Sequence, residues 1–378
     1  MTTGGGQRVL FVADSLDIGG AERVLLGIAA GLVERGHQVT VACSAGGALA
    51  ADAVGFGVAV RVVGRRLAKR RVDADFADGL ARLIAADRPD VVHSHMFAST
   101  AAAALALLRC RVPLVVHEHS EAVWRDSAAR RVAFAAYADS AAVIAVSAAI
   151  KRRLIDVDGV AGEKVHLLPN TLPARYRPLR HVALLRPRGP SVGVVARLQP
   201  EKGVAVFLRA AAKIRRSLPD ARFTVIGDGP QRAALERLAA DLAVPVSFLG
   251  FRPDAAALMA SLDLLIVPSF TEGTPLVVLE AGAAGVPVVA SRVGGIPEQV
   301  RHGLEALLVP SGDDTALADR SLRILLDPAF GAKLATAAQQ RLHKRADPET
   351  GVITLEALYH RLSQPPPSAR SLSRRDRT

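Results

Sequence analysis

Only two cysteines, Cys43 and Cys110, occur in the 378 residues, so no disulfide framework holds this chain and a reducing compartment is its natural setting. Aromatic residues are equally scarce at 4%, which argues against a fold held by aromatic clusters and against a stacking surface for nucleic acid. The commonest nucleotide motifs are missing too. The first strand-helix unit has no G-x-G-x-x-G and no G-K-[ST], so neither a dinucleotide nor a P-loop site is supported there. No Asp-x-Asp pair stands at a plausible strand end; Asp73-x-Asp75 and Asp156-x-Asp158 fall in polar or helix-end contexts and read as solvated acids. The opening MTTGGGQR lacks the apolar core of a signal peptide, so the chain is expected to stay where it is made. One nearly uncharged window, 132–150, approaches the length of a membrane span. Asp139 falls in its middle, however, and it splits into a helix ending near Tyr137 and a short strand, VIAVS.

What the chain does have is length and positive charge. At 378 residues it exceeds the usual size of one core, so two domains are expected, and half of it is apolar, as a packed α/β protein requires. A formal net charge of +12 gathers at Arg65-Arg66, Lys69-Arg70-Arg71, Arg125, Arg130-Arg131 and Lys151-Arg152-Arg153. Donor phosphates, a lipid diphosphate or an anionic membrane surface would be attracted there; a merely solvated surface is the plainer alternative. Scattered cations with few aromatics make a poor nucleic-acid site. Residues 364–378 are polar, Pro-rich and basic and read as a disordered tail.

Short β-branched runs alternate with helical patterns along the chain. Residues 8–13 form a buried strand, Gly19-Gly20 opens a helix over 21–35, and 38–43 is the next strand, a unit that seeds a doubly wound parallel sheet. Strands at 59–63, 89–95, 113–116 and 143–147 follow, with helices near 76–87, 99–108 and 149–155. Two His-x-His pairs, His93/His95 and His117/His119, each put both rings on one strand face. No carboxylate or cysteine completes a set at metal spacing, so no metal is expected. The stretch 173–190 has no periodicity but four prolines and five arginines, the mark of an interdomain linker. The alternation then restarts with strands at 191–196, 222–226, 246–249, 263–268, 286–291 and 306–309. Helices near 204–217, 231–242, 255–261, 315–326, 330–345 and 354–362 lie between and after them.

Loops after parallel strands are where ligands bind in open α/β sheets, and the chemistry-bearing residues fall there. In the stretch 267–298, Glu272 and Glu280 stand eight positions apart with Pro275 between them, so Glu272 belongs to a loop and Glu280 to the helix that follows. Thr274 can cap that helix and Pro275 suits its first position. The amides of Thr274 and Leu276 face outward at the positive end of the dipole, where they suit a phosphate, while the carboxylates accept from hydroxyls. That combination fits a nucleotide sugar; an ordinary helix with a buried or solvated Glu is the bland alternative. Arg197 and Lys202, five apart in a loop closing at a helix start, set two cations against a diphosphate, unless Glu201 simply pairs with them. Gly19 and Gly20 would let backbone approach a ligand, or merely make a tight turn.

These residues resemble a known family. Glu272, Gly273, Pro275, Leu279, Glu280, Ala281 and Gly285, with the Pro-Val-Val-Ala after them, are similar to the E-x7-E region of the retaining glycosyltransferases of family 4, and the likeness extends in patches from Val9 to Leu326. The loop 197–203 resembles the family's G-R-L-x-x-x-K-G with Ala196 for its first glycine, and Gly227 to Pro230 its G-x-G-P. Val165 to Asn170 resembles its I-P-N-G-V, but Thr171 replaces the glycine, which leaves Asn170 without a role.

The resemblance implies the GT-B arrangement, two Rossmann-like domains with parallel sheets facing a cleft: an acceptor-side domain over 1–172, the linker 173–190, a nucleotide-sugar-binding domain over 191–350, and a helix over 351–363 that crosses back. It implies that Arg197 and Lys202 bind the donor diphosphate, Glu272 the sugar hydroxyls and Glu280 the ribose. Gly273, Thr274, Pro275 and Leu276 would line the donor. Gly227, Gly229 and Phe251 would lie near the base, and Gly19 and Gly20 near the acceptor and the phosphate. His119 would touch the sugar near its 6-hydroxyl, with His117 the competing choice. The activity implied is transfer of a hexose-type sugar, with retention and without a metal or other cofactor, from a UDP or GDP sugar, UDP first. The acceptor would be a glycan or lipid-linked molecule of cell-envelope or polysaccharide synthesis, met in the cytoplasm or at the inner membrane face. Another GT-B enzyme, an epimerase or phosphorylase, and a non-enzymatic binder are the alternatives.

Overall fold

The computed structural model describes residues 6–108, 110–122, 124–172, 189–345 and 348–364; most of the expected linker and all but the first residue of the expected tail lie outside them. Runs rich in Val, Leu and Ile form strands buried on both faces, which is how parallel strands covered by helices read in sequence. Seven of them, β1 (Arg8–Ala13), β2 (Gln38–Cys43), β3 (Ala59–Val62), β4 (Val91–His95), β5 (Leu114–Glu118), β6 (Ala142–Ala145) and β7 (Val165–Leu167), form one sheet in the order β3-β2-β1-β4-β5-β6-β7. All their pairings are parallel. The connecting helices are α1 (Gly20–Glu34), α2 (Ala50–Gly55), α3 (Ala74–Asp87), α4 (Phe97–Ala106), α5 (Ser127–Asp139) and α6 (Ala148–Asp156).

A second sheet repeats the plan. Its strands β8 (Ser191–Val195), β9 (Arg222–Ile226), β10 (Val246–Phe248), β11 (Leu264–Val267), β12 (Val288–Ser291) and β13 (Leu307–Val309) run in the order β10-β9-β8-β11-β12-β13. Around it lie α7 (Val204–Ser217), α8 (Arg232–Asp241), α9 (Ala255–Ala260), α10 (Leu276–Ala284), α11 (Ile296–Gln299), α12 (Asp314–Leu326) and α13 (Pro328–Arg345). Both sheets therefore reverse their strand order once, between β1 and β4 and between β8 and β11, and such a switch point opens a crevice at the carboxyl ends of the strands. The window 132–150 divides between α5 and β6 as its sequence implied. No helix of the described residues is long and apolar enough to cross a membrane.

The last helix, α14 (Pro348–Ser363), returns to the first domain and is longer than its sequence pattern suggested. Val352, Leu355, Leu358 and Tyr359 complete the core that β1, β2 and α1 begin with Val9, Phe11, Leu25 and Leu32. Glu356 fixes the register of this helix, accepting from Arg35 and lying 3.1 Å from His37 Nε2. Gly31 makes the close approach possible, since a Cβ there would stand 2.7 Å from Val352 Cγ2.

Two acids read from sequence as solvated have structural duties. Asp73 is buried and caps α3, accepting from the Phe76 amide at 3.1 Å. Asp158 pairs with Arg153 at 3.5 Å. Arg125 also departs from its expected place in the basic surface. It is 5% exposed and donates to both oxygens of Glu118 at 2.8 and 3.0 Å and to the Tyr137 hydroxyl at 2.6 Å.

Truncating Leu355 to Ala should cost about 2–5 kcal/mol and lower the melting temperature, because the side chain closes a core it reaches only through α14; an unchanged melting curve would show that α14 does not hold in solution. Asp14, at the end of β1, gives a pH-dependent case. Burial is the largest influence and pushes its carboxyl from 3.8 up to about 6, against hydrogen bonds from Ser99. A raised carboxyl favours the folded state fully at low pH, and that advantage is lost as pH rises through about 6. Asp14→Asn keeps the acceptor for Ser99 and should stabilise the fold at neutral pH by roughly 2–3 kcal/mol, with little gain at pH 4. Equal melting shifts at both pH values would refute that cause.

Candidate active site between the two sheets

The two switch points face each other, and most of the charged residues singled out in the sequence sit on their loops. Arg197 and Lys202 follow β8, and Glu272 follows β11, the two strands at which the second sheet reverses. Lys202 Nζ donates to Glu272 Oε1 at 2.7 Å, and the Ser269 hydroxyl donates to the same oxygen at 2.7 Å. Glu272 is 8% exposed, so this carboxylate is held by hydrogen bonds rather than by water.

Arg197 is exposed and reaches across the cleft to the start of α1. A Cβ on Gly19 would stand 3.1 Å from Arg197 Nη2 and 2.1 Å from Glu22 Oε2, so the missing side chain is what admits both groups. The turn at Gly227 and Gly229 supports Arg197 from behind. A Cβ on Gly227 would fall 1.9 Å from the Ala196 carbonyl oxygen and one on Gly229 2.6 Å from that of Leu198, the residues flanking Arg197. Both glycines thus serve packing here, whatever lies near the base. Phe251 follows the bridge between Gly227 and Gly250 and is half exposed.

The start of α10 differs in detail from its sequence reading. Thr274 does not cap it: Pro275 holds the capping position, and the Thr274 hydroxyl donates instead to the Val146 carbonyl oxygen of the first domain. The helix runs through Gly282 and stops only at Gly285, which takes the left-handed conformation with φ +71°. Gly273 is pressed against His119; a Cβ would lie 2.1 Å from the His119 carbonyl oxygen. Gly294 and Gly295 back the same loop, with Gly295 N donating to the Gly273 carbonyl at 2.8 Å.

Several residues at this junction escaped the sequence reading. Arg23, in the first turn of α1, donates to Glu280 Oε1 at 3.1 Å, so Glu280 meets a cation of the opposite domain. Burial raises the Glu280 carboxyl, with Arg23 acting against it. Glu22 is buried and likewise raised chiefly by burial, with Arg197 and Lys69 pulling it down. Asn170, left without a role, donates to the Thr274 carbonyl at 2.8 Å. Glu298 accepts from the Ala148 and Ala149 amides at 2.7 and 3.0 Å, neutralising the start of α6 from the other domain. The signal for Arg23 was present in the charged Glu22-Arg23 pair after Gly19-Gly20, but only tertiary structure supplies its partner.

His119 stands just beyond β5, where burial lowers it from 6.5 to about 3 and keeps the ring neutral. His95 Nδ1 lies 2.8 Å from His119 Nε2. His117 points to the face covered by α1 and α14, lining a small cavity with Arg23, Val24 and Val352, so the competing choice for a donor contact is enclosed. A larger cavity of about 210 Å³ lies against the side of α10 turned away from Glu280, lined by Val278, Gly282 and Asn170.

The comparisons agree with this geometry. Residues 18–176 match the family described as Glycosyltransferase Family 4, and residues 189–327 match Glycosyl transferases group 1. The D-inositol 3-phosphate glycosyltransferase of Pseudarthrobacter chlorophenolicus is 31% identical over 302 residues, covering 72% of this chain and 71% of that one. The N-acetyl-alpha-D-glucosaminyl L-malate synthase of Bacillus anthracis is 33% identical over 168 residues, 44% of each chain. Among solved structures, Anabaena Alr3699/HepE in complex with UDP and glucose superposes with a TM-score of 0.84 at 26% identity, covering 94% of this chain and all of that one. With two doubly wound sheets, charged loops at both switch points and these relatives, the chain belongs to the group 1 glycosyltransferases of family 4 and has the GT-B fold.

Proposed function

We propose that the protein transfers a hexose-type sugar from a UDP sugar to a hydroxyl of a glycan or lipid-linked acceptor, with retention at the anomeric carbon. The contact between Lys202 and Glu272 carries this reading, because it puts a cation and a carboxylate side by side at the second switch point, beside the start of α10. The diphosphate takes Lys202 and Arg197 together with the amides at the start of α10. Glu272 is then released to accept from sugar hydroxyls, and Glu280, freed from Arg23, to accept from the ribose. His119 lies against Gly273 and faces the sugar from the first domain. Negative charge grows on the leaving diphosphate as the anomeric bond breaks, so stabilisation there lowers the barrier directly. The acceptor oxygen attacks from the same face and its proton passes to the departing phosphate. Two side-chain cations and a helix dipole supply the positive charge, so no divalent ion is required. UDP is favoured as the nucleotide by HepE, whose structure holds UDP and glucose. Cell-envelope or polysaccharide synthesis, in the cytoplasm, is the setting this activity suits.

Glu272→Ala and Lys202→Ala should each cut turnover by at least about 100-fold while the melting curve stays two-domain and cooperative. In the same experiment UDP-glucose should raise the melting temperature of the wild type and do so far less in Lys202→Ala. Full activity in either variant sinks the assignment, and sugar product formed from donor without any acceptor would favour an epimerase.

The loop at residues 65–71 is the place where an anionic membrane surface would be met. Arg66 and Arg71 share Asp73, and Arg70 reaches Glu201, while Leu67 and Val72 stay exposed beside them. Reversing Arg65 and Lys69 to Glu should reduce sedimentation with vesicles of anionic lipid by roughly 10-fold at physiological salt. Unchanged sedimentation would remove the membrane from this reading.

A further inference from the structure

Four histidines line one face of β4 and β5 and the turn beyond, and the reaction proposed above uses only the last of them. His93, His95 and His117 are 0%, 0% and 1% exposed. Parallel register sets His95 directly beside His117, while the two-residue period of β4 puts His93 on the same face. Their rings crowd together, with centroids 4.6 Å apart for His93 and His95, 4.8 Å for His95 and His117, and 5.3 Å for His93 and His117. His93 Nε2, His95 Nε2, both ring nitrogens of His117 and His119 Nδ1 are buried with no hydrogen-bond partner among the described residues. An orphaned buried polar atom is costly, so this many in one place points to an occupant.

We propose that His93, His95 and His117 bind one divalent transition-metal ion of the zinc class, a buried site separate from the donor diphosphate.

The chemistry of the donor set fits such an ion. Three neutral imidazoles with one position left for water is a familiar zinc arrangement, and imidazole suits zinc, copper and nickel better than magnesium or calcium. Potential ligand atoms of the three residues lie within 4.8 Å of one another. Tetrahedral bonds of about 2.0–2.1 Å need ligand nitrogens about 3.4 Å apart, so the rings turn toward one another when the ion binds. Two of the three rings have the outer contacts expected of metal-bound histidines. His93 Nδ1 is held by the Tyr359 hydroxyl and His95 Nδ1 by His119 Nε2, which leaves the Nε2 lone pair of each ring for the ion. His117 lines a cavity of about 30 Å³, room for a water as the fourth ligand. The sequence supplied both His-x-His pairs but asked for a carboxylate or a cysteine to complete them. Strand pairing completes the set with a third imidazole instead.

An ion here would also fix the tautomer of His95. With Nε2 on the metal, Nδ1 carries the proton and donates to His119 Nε2, so His119 keeps its own proton on Nδ1. That consequence rests on the role proposed for His119; the binding of the ion does not.

The test uses the full chain without a histidine tag, stripped of metal and titrated with Zn²⁺ against a chromophoric chelator, with Co²⁺ in a parallel titration. One ion per chain is expected, together with the visible absorption bands of tetrahedral Co²⁺. Tyr359→Phe, which removes only an outer contact, should weaken binding by about 10–100-fold, and His117→Asn by more. His166→Asn and His302→Asn, at histidines outside the cluster, should bind as the wild type does. Failure of the wild type to take up a stoichiometric ion overturns the proposal and assigns the orphaned nitrogens to buried water. Equal weakening in the two control variants, or a Co²⁺ spectrum of octahedral type, overturns it as well.

Discussion

Gly273 touches the His119 carbonyl closely enough that no side chain could stand between them, and the rest of the site hangs on that approach. It brings the carboxyl edge of one sheet against the carboxyl edge of the other. Glu272 and Thr274 lie on either side of the contact, and the Thr274 hydroxyl and carbonyl both bond to the first domain, through Val146 and Asn170. A larger residue at 273 would wedge the cleft open and detach the loop from the strand ends it leans on. Gly294 and Gly295 repeat the device one layer back, where the chain after β12 packs on the backbone of Glu272 and Gly273. Glycines at 273 and 295 are thus a requirement of two backbones meeting, and at 294 a φ of +50° adds a second reason.

The charges around this contact are neutralised internally. Lys202 pairs with Glu272, Arg23 with Glu280, and Arg197 lies beside Glu22. A ligand entering here exchanges partners instead of filling an empty field. On the function proposed above, a diphosphate would displace Glu272 from Lys202, and hydroxyls would replace a cation at Glu272 and Glu280. Affinity is then the difference between two well-satisfied arrangements, which is smaller than either interaction alone. Glu280 and Glu22 are buried and both shifted upward by that burial, so hydroxyl donors that need no second charge suit them well.

How much of this the sequence disclosed follows from the range of the interactions. Strands such as Arg8–Ala13 and Leu264–Val267 are buried on both faces, and their unbroken apolar runs announce them within a few residues. The positions of Arg197, Lys202 and Glu272 at strand ends were legible for the same reason, since a loop is located by the strand before it. What failed were inferences that assumed a local partner. Thr274 has the residue type of a cap, but its hydroxyl goes to a carbonyl 128 positions away. Arg125 looks like part of a basic surface until Glu118 and Tyr137 enclose it. Asn170 and Glu298 act only across the cleft, and neither has a neighbour in sequence that would betray it. The four histidines were visible as two pairs, but their union depends on the β4 and β5 register, which no spacing in one strand encodes.

The end of the first domain and the start of α14 lie side by side: a Cβ on Gly351 would stand 3.9 Å from Leu168 Cδ1, and Thr171 and Gly351 line one cavity. Elsewhere the domains meet through Asn170 with Thr274, Arg70 with Glu201 and Glu121 with Thr271. An exposed ion pair such as Arg70 with Glu201 contributes little by itself. The buried core that α14 completes on the first domain, with Leu355 and Tyr359 inside it, fixes that helix there. The firmest links between the two halves are therefore the buried ones, this core and the apposed backbones of Gly273 and His119, rather than the exposed pairs at the rim.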